Sequence, residues 1–198
     1  RAEGCFNKKT GHRIKAVIPM HTFGHPVDLD SLVELCHHYK LELVEDAAES
    51  LGSFYKGIHT GNWGKASALS FNGNKIITTG GGGAILTNDD QLAKLAKHLT
   101  TTARVSHKWS FIHDQVGFNY RMPNINAALG CAQLEALPDA IKNKRKLAEK
   151  YKQIFIGVKG IEFFVEPSFA QSNYWLNTLI LNEKFSGQRD SLLKSTNA

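Results

Sequence analysis

Apolar and polar residues alternate along the chain in blocks that predict strands and helices in turn. Residues 14–20 and 41–44 are short apolar runs typical of buried strands. Between them, Asp28 is placed to cap a helix that ends near Lys40. Apolar residues recur at helical spacing within it: Leu29, Leu32, Val33, Cys36 and Tyr39. The order strand, helix, strand predicts a βαβ unit in a parallel sheet covered by helices.

The middle of the chain continues this pattern. Residues 66–71 form an apolar run that predicts a buried strand, and residues 83–87 predict another that pairs with it as a hairpin. Asn88 is placed to cap the next helix. Residues 52–64 look irregular, and residues 103–123 predict a long aromatic and polar loop. A loop of that length without its own structure is more often functional than idle.

The last third predicts two helices and then two strands. Asn124 opens one helix, and Pro138 marks a kink or a restart before a second. Residues 161–165 and 174–181 then predict strands. We interpret residues 1–156 as part of one large domain and residues 157–198 as the beginning of a smaller one.

Composition limits the function classes. The 198 residues are 42% hydrophobic and 21% charged, as in ordinary globular proteins. No apolar run approaches the roughly 20 residues needed to cross a bilayer, so we expect no membrane partner. The three widely spaced cysteines predict neither disulfides nor a zinc site, and they fit a cytoplasmic protein.

The net charge of +6 raises the question of nucleic acid binding. The basic residues are scattered, apart from one group at positions 142–146 on a predicted helix that also carries Asp139 and Glu149. A solvated helix face explains this group more simply. We therefore expect no nucleic acid partner, and the excess charge would help to attract an anionic substrate.

Candidate chemistry concentrates between residues 45 and 83. Asp46 follows a predicted strand, at the end of a parallel sheet where open α/β folds bind ligands. An ionised carboxylate there would keep the ring nitrogen of pyridoxal phosphate protonated, which makes the ring an electron sink. Taken alone, Asp46 is better explained as a solvated or helix-capping residue.

Lys75 follows the next predicted strand and precedes a run of four glycines at positions 80–83. A lysine that forms a Schiff base must lie in a pocket and lose its proton readily. Ser70 would offer a hydroxyl group to a phosphate, although an ordinary surface lysine and serine remain the alternative. Neither the P-loop pattern nor the dinucleotide fingerprint is present.

A metal site is not predicted. His21 and His25 lie near Asp28 and Asp30, but their spacing is not that of a regular ligand set.

Four strings, in this order, resemble the DegT/DnrJ/EryC1/StrS family of pyridoxal-phosphate-dependent sugar aminotransferases: HTFGHPVDLD, VEDAAESLGSFYKG, SFNGNKIITTGGGGAI and GFNYRMPNINAALGCAQLE. The resemblance covers nearly the whole chain. It is strongest to the subgroup that aminates UDP-linked 4-keto-6-deoxy-2-acetamido sugars. It implies an α/β type I fold, like that of aspartate aminotransferase, with the central part of the large domain and the start of the small one.

The resemblance also implies roles for individual residues. Lys75 would hold the cofactor as a Schiff base and transfer protons, and Asp46 would pair with the pyridine nitrogen. The other implied cofactor contacts are Ala48 against the ring, Glu49 where many relatives have Gln or His, Ser70 at the phosphate, and Asn119 reaching the partner subunit's site. His21, Tyr120 and Arg121 would lie near the substrate.

The implied reaction is transamination of a nucleotide-linked sugar with L-glutamate as amino donor, in a homodimer with shared active sites. Family members are roughly twice as long, so we expect this chain to be a fragment that is inactive alone. Two alternatives remain open. One is a dehydratase of the same family, which commonly has His in place of the lysine. The other is a non-catalytic or nucleic-acid-binding relative.

Overall fold

The computed structural model describes residues 4–197 as a mixed α/β structure. The strands are β1 Cys5–Phe6, β2 Arg13–Ile14, β3 Ala16–Val17, β4 Glu42–Asp46, β5 Phe54–Tyr55, β6 Ile58–His59, β7 Ala66–Ser70, β8 Gly83–Leu86, β9 Arg104–Val105, β10 Ile112–His113, β11 Ile161–Phe163, β12 Ala170–Gln171 and β13 Leu179–Leu181. The α-helices are α1 Leu29–Tyr39, α2 Asp90–Thr100, α3 Asn124–Glu135, α4 Leu137–Phe155 and α5 Arg189–Thr196, and short 3₁₀ helices cover Thr22–Gly24 and Glu183–Gln188.

The central sheet has the strand order β3-β4-β7-β8. β3, β4 and β7 run parallel, and β8 returns antiparallel to β7. The predicted βαβ unit and the predicted hairpin are therefore confirmed. Because β4 and β7 are parallel neighbours, their carboxyl ends lie at the same edge of the sheet.

Helix α1 forms as its sequence predicts. The Asp28 carboxylate accepts the Ser31 N–H at 3.4 Å, and Lys40 ends the helix in the left-handed conformation. The inward face buries Leu29 and Cys36 against Leu43 of β4. This apolar contact fixes β4, and with it the residues that follow, against the helix layer.

Two local predictions were wrong. Residues 14–20 do not form one strand, because β2 pairs with β1 whereas β3 pairs with β4. Helix α2 is capped by Asp89 rather than Asn88, since the Asp89 carboxylate accepts the N–H groups of Gln91 and Leu92.

The two segments predicted to be irregular contain short hairpins. Within residues 52–64, β5 pairs with β6, and β12 adds to them from far along the chain. Within residues 103–123, β9 pairs with β10. Two-residue strands carry too little periodicity to be recognised in a sequence.

Helix α3 begins at Asn124 as predicted, and α4 begins as a new helix beside Pro138. The predicted strand at residues 174–181 is confined to β13, which pairs with β11. Residues 172–175 are instead buried and irregular. The domain boundary at residue 156 stays a prediction.

No helix among residues 4–197 is long and apolar enough to cross a membrane. In the same range, no three His, Cys, Asp or Glu side chains are grouped closely enough to hold a metal ion.

Candidate functional site

The last two residues of β4, Glu45 and Asp46, are both acidic, and their side chains lie on opposite faces of the sheet. Glu45 points to the interior and is fully buried, whereas Asp46 is partly exposed. The Asp46 Oδ1 atom accepts the Ala48 N–H at 3.1 Å, which shapes the turn that leaves the strand. Asp46 thus places a carboxylate at the edge where β4 and β7 end, as predicted from the sequence.

The loop that carries Lys75 is closed by its own backbone. Phe71 accepts the Thr79 N–H at 3.0 Å and donates its own N–H to the Gly82 carbonyl at 2.9 Å. At Gly83, a Cβ atom would lie 2.2 Å from the Leu69 carbonyl oxygen, so only glycine allows β8 to approach β7 there. The glycine run therefore closes the lysine loop onto the strand.

Helix α3 holds the far side of this loop. The Gln133 side-chain oxygen accepts the Thr78 N–H at 3.3 Å, and the Asn126 amide donates to the Thr79 carbonyl at 2.5 Å. Because Asn126 and Gln133 lie on one helix, the loop is fixed to a rigid element.

Lys75 is largely buried, with 13% of its side chain exposed. Its Nζ lies 3.7 Å from Glu49 Oε1 and 4.0 Å from the centroid of the Trp175 ring. The amine therefore sits between a carboxylate and the face of an indole, and it is not the ordinary surface lysine that the sequence left open.

Glu49 connects this lysine to the turn after β3. Its second carboxylate oxygen accepts the Phe23 N–H at 2.7 Å, and Phe23 has the unusual backbone angle φ 58°. A hydrogen bond from a left-handed residue to a carboxylate stabilises a strained turn. Glu49 therefore holds both the Lys75 amine and the 22–24 turn.

Ser70 ends β7 opposite Gly83, and its hydroxyl oxygen accepts the Asn72 N–H at 3.3 Å. Ala48 follows Asp46 and is partly exposed. Asp46, Ala48 and Glu49 thus lie within four residues at the end of β4, and Ser70 precedes the neighbouring loop that carries Lys75.

His21 is placed differently from the position expected for a substrate contact. It is fully buried, its Nδ1 accepts the Val27 N–H at 3.3 Å, and its Nε2 lies 3.0 Å from Glu45 Oε2. Because Nδ1 is an acceptor, Nε2 carries the proton and donates to Glu45. In this arrangement the His21 side chain has a structural contact and no open face.

Asn119, Tyr120 and Arg121 are exposed on a segment that runs beside the end of α2. The Tyr120 N–H donates to the Thr100 carbonyl at 2.9 Å, and Asn119 bridges to Thr101. Tyr120 and Arg121 line a cavity of about 1010 Å³ together with the glycine run and β8. Asn119 is therefore exposed rather than packed in the core.

Glu45 was not assigned a role from the sequence, yet it is the centre of a buried network. Besides His21, it accepts the N–H groups of Gly61 at 2.7 Å and of Trp63 and Gly64 at 2.8 Å. Burial alone would raise the pKa of this carboxyl, but these hydrogen bonds outweigh it and lower the pKa below the ordinary value. Glu45 lies on the same face of β4 as the buried Leu43. This alternation along the strand was the sequence signal that could have predicted its burial.

Trp175 and Asn173 were also missed. Asn173 is fully buried and donates to the carbonyls of Glu49 and Leu51, both at 2.9 Å. No local pattern points to them, because their contacts with Glu49, Leu51 and the lysine loop span 100 or more residues of the chain.

The profile of the DegT/DnrJ/EryC1/StrS aminotransferase family matches residues 2–198. The chain belongs to this family. EpsN of Bacillus subtilis, which carries the name of a pyridoxal phosphate-dependent aminotransferase, is 40% identical over 179 residues, covering 90% of this chain and 46% of that protein. GDP-perosamine synthase of Vibrio cholerae is 39% identical over 187 residues, covering 94% of this chain and 49% of that protein.

Solved structures agree with the sequence relatives. Helicobacter pylori PseC, an aminotransferase of pseudaminic acid biosynthesis by its description, superposes with a TM-score of 0.86 at 27% identity, covering 91% of this chain and 49% of that one. DesI, solved with its TDP-sugar product, gives a TM-score of 0.83 at 26% identity, covering 93% and 47%. The predicted type I fold is therefore confirmed, and the chain spans about half the length of the relatives it matches.

The residues at the sheet edge fit pyridoxal phosphate, the cofactor on which this family depends. A largely buried amine, a carboxylate and a hydroxyl group lie at or just after the ends of two parallel strands: Lys75 lies on the loop that follows β7, Asp46 ends β4, and Ser70 ends β7. This donor set matches an aldehyde, a pyridine nitrogen and a phosphate group.

Proposed function

We propose that the protein is an aminotransferase that aminates the C4 ketone of a nucleotide-linked 4-keto-6-deoxy sugar, with L-glutamate as amino donor. The observation that carries the proposal is the Lys75 amine, which is largely buried at the shared edge of β4 and β7. The names of two relatives, a GDP-perosamine synthase and an enzyme solved with a TDP-sugar product, support a nucleotide-linked sugar as the substrate.

Bound pyridoxal phosphate supplies a protonated ring that stores an electron pair while a neighbouring C–H bond breaks. Lys75 would hold the cofactor through Nζ and, once free, would move the proton to and from the substrate carbon. The negative charge of Asp46 would keep the ring nitrogen protonated, and the Ser70 hydroxyl would donate a hydrogen bond to the phosphate. Glu49 and Trp175 keep the Lys75 amine at the sheet edge.

The proposed binding site for the sugar nucleotide includes Tyr120 and Arg121. Both line the cavity beside the glycine run, and an arginine there suits the diphosphate of a nucleotide sugar. We also propose, from the resemblance of the GFNYRM string to this family, a homodimer in which the exposed Asn119 on the same segment contacts the partner subunit's cofactor. We propose that turnover requires the full-length protein, because the relatives are about twice as long.

The decisive experiment compares the full-length protein with its Lys75→Ala and Lys75→Arg variants. We expect the wild type to form a yellow adduct with pyridoxal phosphate that borohydride fixes to Lys75. Both variants should lose the adduct and at least 10³-fold of the turnover. An adduct fixed to another lysine in the wild type would contradict the assignment.

An amino-donor assay separates amination from dehydration within this family. With glutamate and a nucleotide-linked 4-keto sugar, we expect 2-oxoglutarate and an amino sugar in equal amounts. Loss of a sugar hydroxyl group without amine transfer would favour the dehydratase alternative, against which the presence of Lys75 already argues.

A further inference from the structure

We propose that Trp175 is a positioning residue that sets the place of the Lys75 amine. The inference rests on the proposed function of Lys75 and adds a residue from the C-terminal part of the chain to the site. The Lys75 Nζ lies 4.0 Å from the centroid of the Trp175 ring, and the carboxylate of Glu49 lies 3.7 Å away. Tryptophan is the aromatic side chain that attracts a cation most strongly.

The indole is held in place by its own hydrogen bond. Trp175 Nε1 donates to the Asn74 carbonyl at 2.7 Å, so the ring is tied to the residue directly before Lys75. Trp175 therefore contacts both the backbone of the lysine loop and the lysine amine. A lysine stem has four rotatable carbons, and two such contacts restrict where its amine can lie.

The backbone of Trp175 is fixed from two further directions. Its N–H donates to the Asn173 side-chain oxygen at 2.8 Å, and its carbonyl accepts from Lys144 of α4 at 3.0 Å. These two bonds fix the backbone of Trp175, and the bond from Nε1 to the Asn74 carbonyl fixes its ring, so the indole face is a fixed contact for the Lys75 amine.

Buried Asn173 links this arrangement to Glu49. Its amide donates to the Glu49 carbonyl at 2.9 Å, while its oxygen holds Trp175. The backbones of the two residues that flank the Lys75 amine, Glu49 and Trp175, are thus joined through one fully buried side chain. Because one side chain fixes both neighbours of the Lys75 amine, the contact between Lys75 and Trp175 is part of a preorganised site.

Nuclear magnetic resonance of the cofactor-free, full-length protein tests the contact directly. Lysines converted to ¹³C-dimethyl-lysine keep their positive charge, and the Lys75→Arg variant identifies the Lys75 signal. A methyl group over an indole face is shifted upfield by the ring current. We expect the Lys75 signal upfield of the other lysines, and a Lys75 signal among theirs in the wild type would overturn the proposal.

Variants then separate positioning from folding. In Trp175→Leu the Lys75 signal should move to the ordinary lysine position. In Trp175→Phe, which keeps an aromatic face but loses the bond to Asn74, it should remain partly shifted. The matched control is Trp63→Phe, because Trp63 packs in the core against Tyr55. In Trp63→Phe the Lys75 signal should keep its wild-type position. A shift of that signal as large as in Trp175→Leu would contradict the proposal.

The chemical consequence is measured by trapping. Pyridoxal phosphate is added to each full-length variant and reduced with borohydride, and the label on each lysine is quantified by mass spectrometry. We expect the share of label on Lys75 to fall about 2- to 30-fold in Trp175→Leu and to recover in Trp175→Phe. An unchanged share in a folded Trp175→Leu protein would overturn the positioning role.

The two proposals fail in different ways. An upfield Lys75 signal with no label on Lys75 would refute its function as the cofactor lysine and leave the Trp175 contact standing. Label on Lys75 without the upfield signal would refute the role of Trp175 alone.

Discussion

At the scale of single residues, Glu45 shows how a charge can be stable inside the protein. The carboxylate is fully buried, and its two oxygens accept from His21, Gly61, Trp63 and Gly64. A buried charge is costly unless hydrogen bonds replace its water, and here both oxygens are satisfied. Glu45 therefore fixes the 61–64 segment beneath the strand end that carries Asp46.

We predict that Glu45→Gln lowers the free energy of unfolding by about 3 kcal/mol. The amide group of glutamine is a donor, and it would face N–H donors that now point at a carboxylate oxygen. Urea unfolding of the two proteins measures the difference.

Glu42→Gln is the matched control for this prediction. Glu42 lies on the same strand, but its ion pair with Lys65 at 2.8 Å is exposed. An exposed pair contributes less than about 1 kcal/mol. Equal losses in the two variants would show that the buried network around Glu45 adds no stability of its own.

Individual site residues were predictable from the sequence to different degrees. Asp46 ends β4 and Lys75 follows β7, and the local apolar pattern of these strands was enough to place both residues at the sheet edge. The contacts of Lys75 with Glu49 and Trp175 depend on tertiary packing, which periodicity does not record. His21 was expected near a substrate from the motif around it, and only its burial reveals the bond to Glu45.

At the scale of elements, the segment 172–175 joins parts of the chain that the sequence does not show to be neighbours. Arg145 of α4 donates to Glu166 at 2.6 and 2.8 Å and to the Ser172 carbonyl at 2.6 Å. Ser172 Oγ in turn donates to the Gly24 carbonyl at 2.8 Å. Helix α4, the turn after β3 and the segment 172–175 therefore form one hydrogen-bonded unit.

We predict that Asn173→Ala lowers the free energy of unfolding by about 2–4 kcal/mol. The carbonyls of Glu49 and Leu51 and the N–H of Trp175 would lose their partner in a buried place, and each unpaired group costs about 1–3 kcal/mol before relaxation. Thermal and urea unfolding measure the loss.

Gln171→Ala provides the control for Asn173→Ala, because Gln171 is close in sequence but its side chain is exposed. We expect a change within about 0.5 kcal/mol there. A neutral Asn173→Ala would mean that water replaces the lost bonds, and the segment 172–175 would then not be a fixed support for Trp175.

The regular elements were largely predictable, and the reason is their length. α1, α2, α3 and α4 have eleven or more residues, so their apolar periodicity stands out. The pairs β5–β6 and β9–β10 have two residues per strand and none of that signal. The pairing of β12 with β5 depends on contacts across more than 100 residues and is invisible to local reasoning.

At the scale of the whole molecule, the buried His25 and the half-buried His59 connect stability to pH. His25 packs edge-on against Phe164 and Tyr174, and neither of its ring nitrogens has a hydrogen-bond partner among residues 4–197. His59 Nε2 accepts the Gly52 N–H at 2.8 Å. Burial lowers the pKa of both, although the charge of Glu166 opposes this at His25 and a bond to Thr60 opposes it at His59.

We predict that the free energy of unfolding falls as the pH decreases below about 6.5, the pKa of an unfolded histidine. A histidine whose pKa is lower in the folded state is neutral there while the unfolded chain takes up a proton. The stabilisation is therefore complete above pH 6.5 and is lost as the pH falls through the folded pKa. Urea unfolding between pH 7.5 and 5 measures the slope of the free energy of unfolding against pH. Glu45 stays ionised across this window, because its pKa is lowered below the ordinary value.

Variants assign this slope to the two rings. His25→Phe keeps an aromatic ring against Phe164 and Tyr174, and His59→Gln keeps an acceptor for the Gly52 N–H, yet neither replacement titrates in this range. Each should reduce the slope, and the double variant should reduce it further. His12→Gln, at an exposed position, should leave it unchanged. A slope that survives in the double variant would place the acid sensitivity elsewhere than in these two histidines.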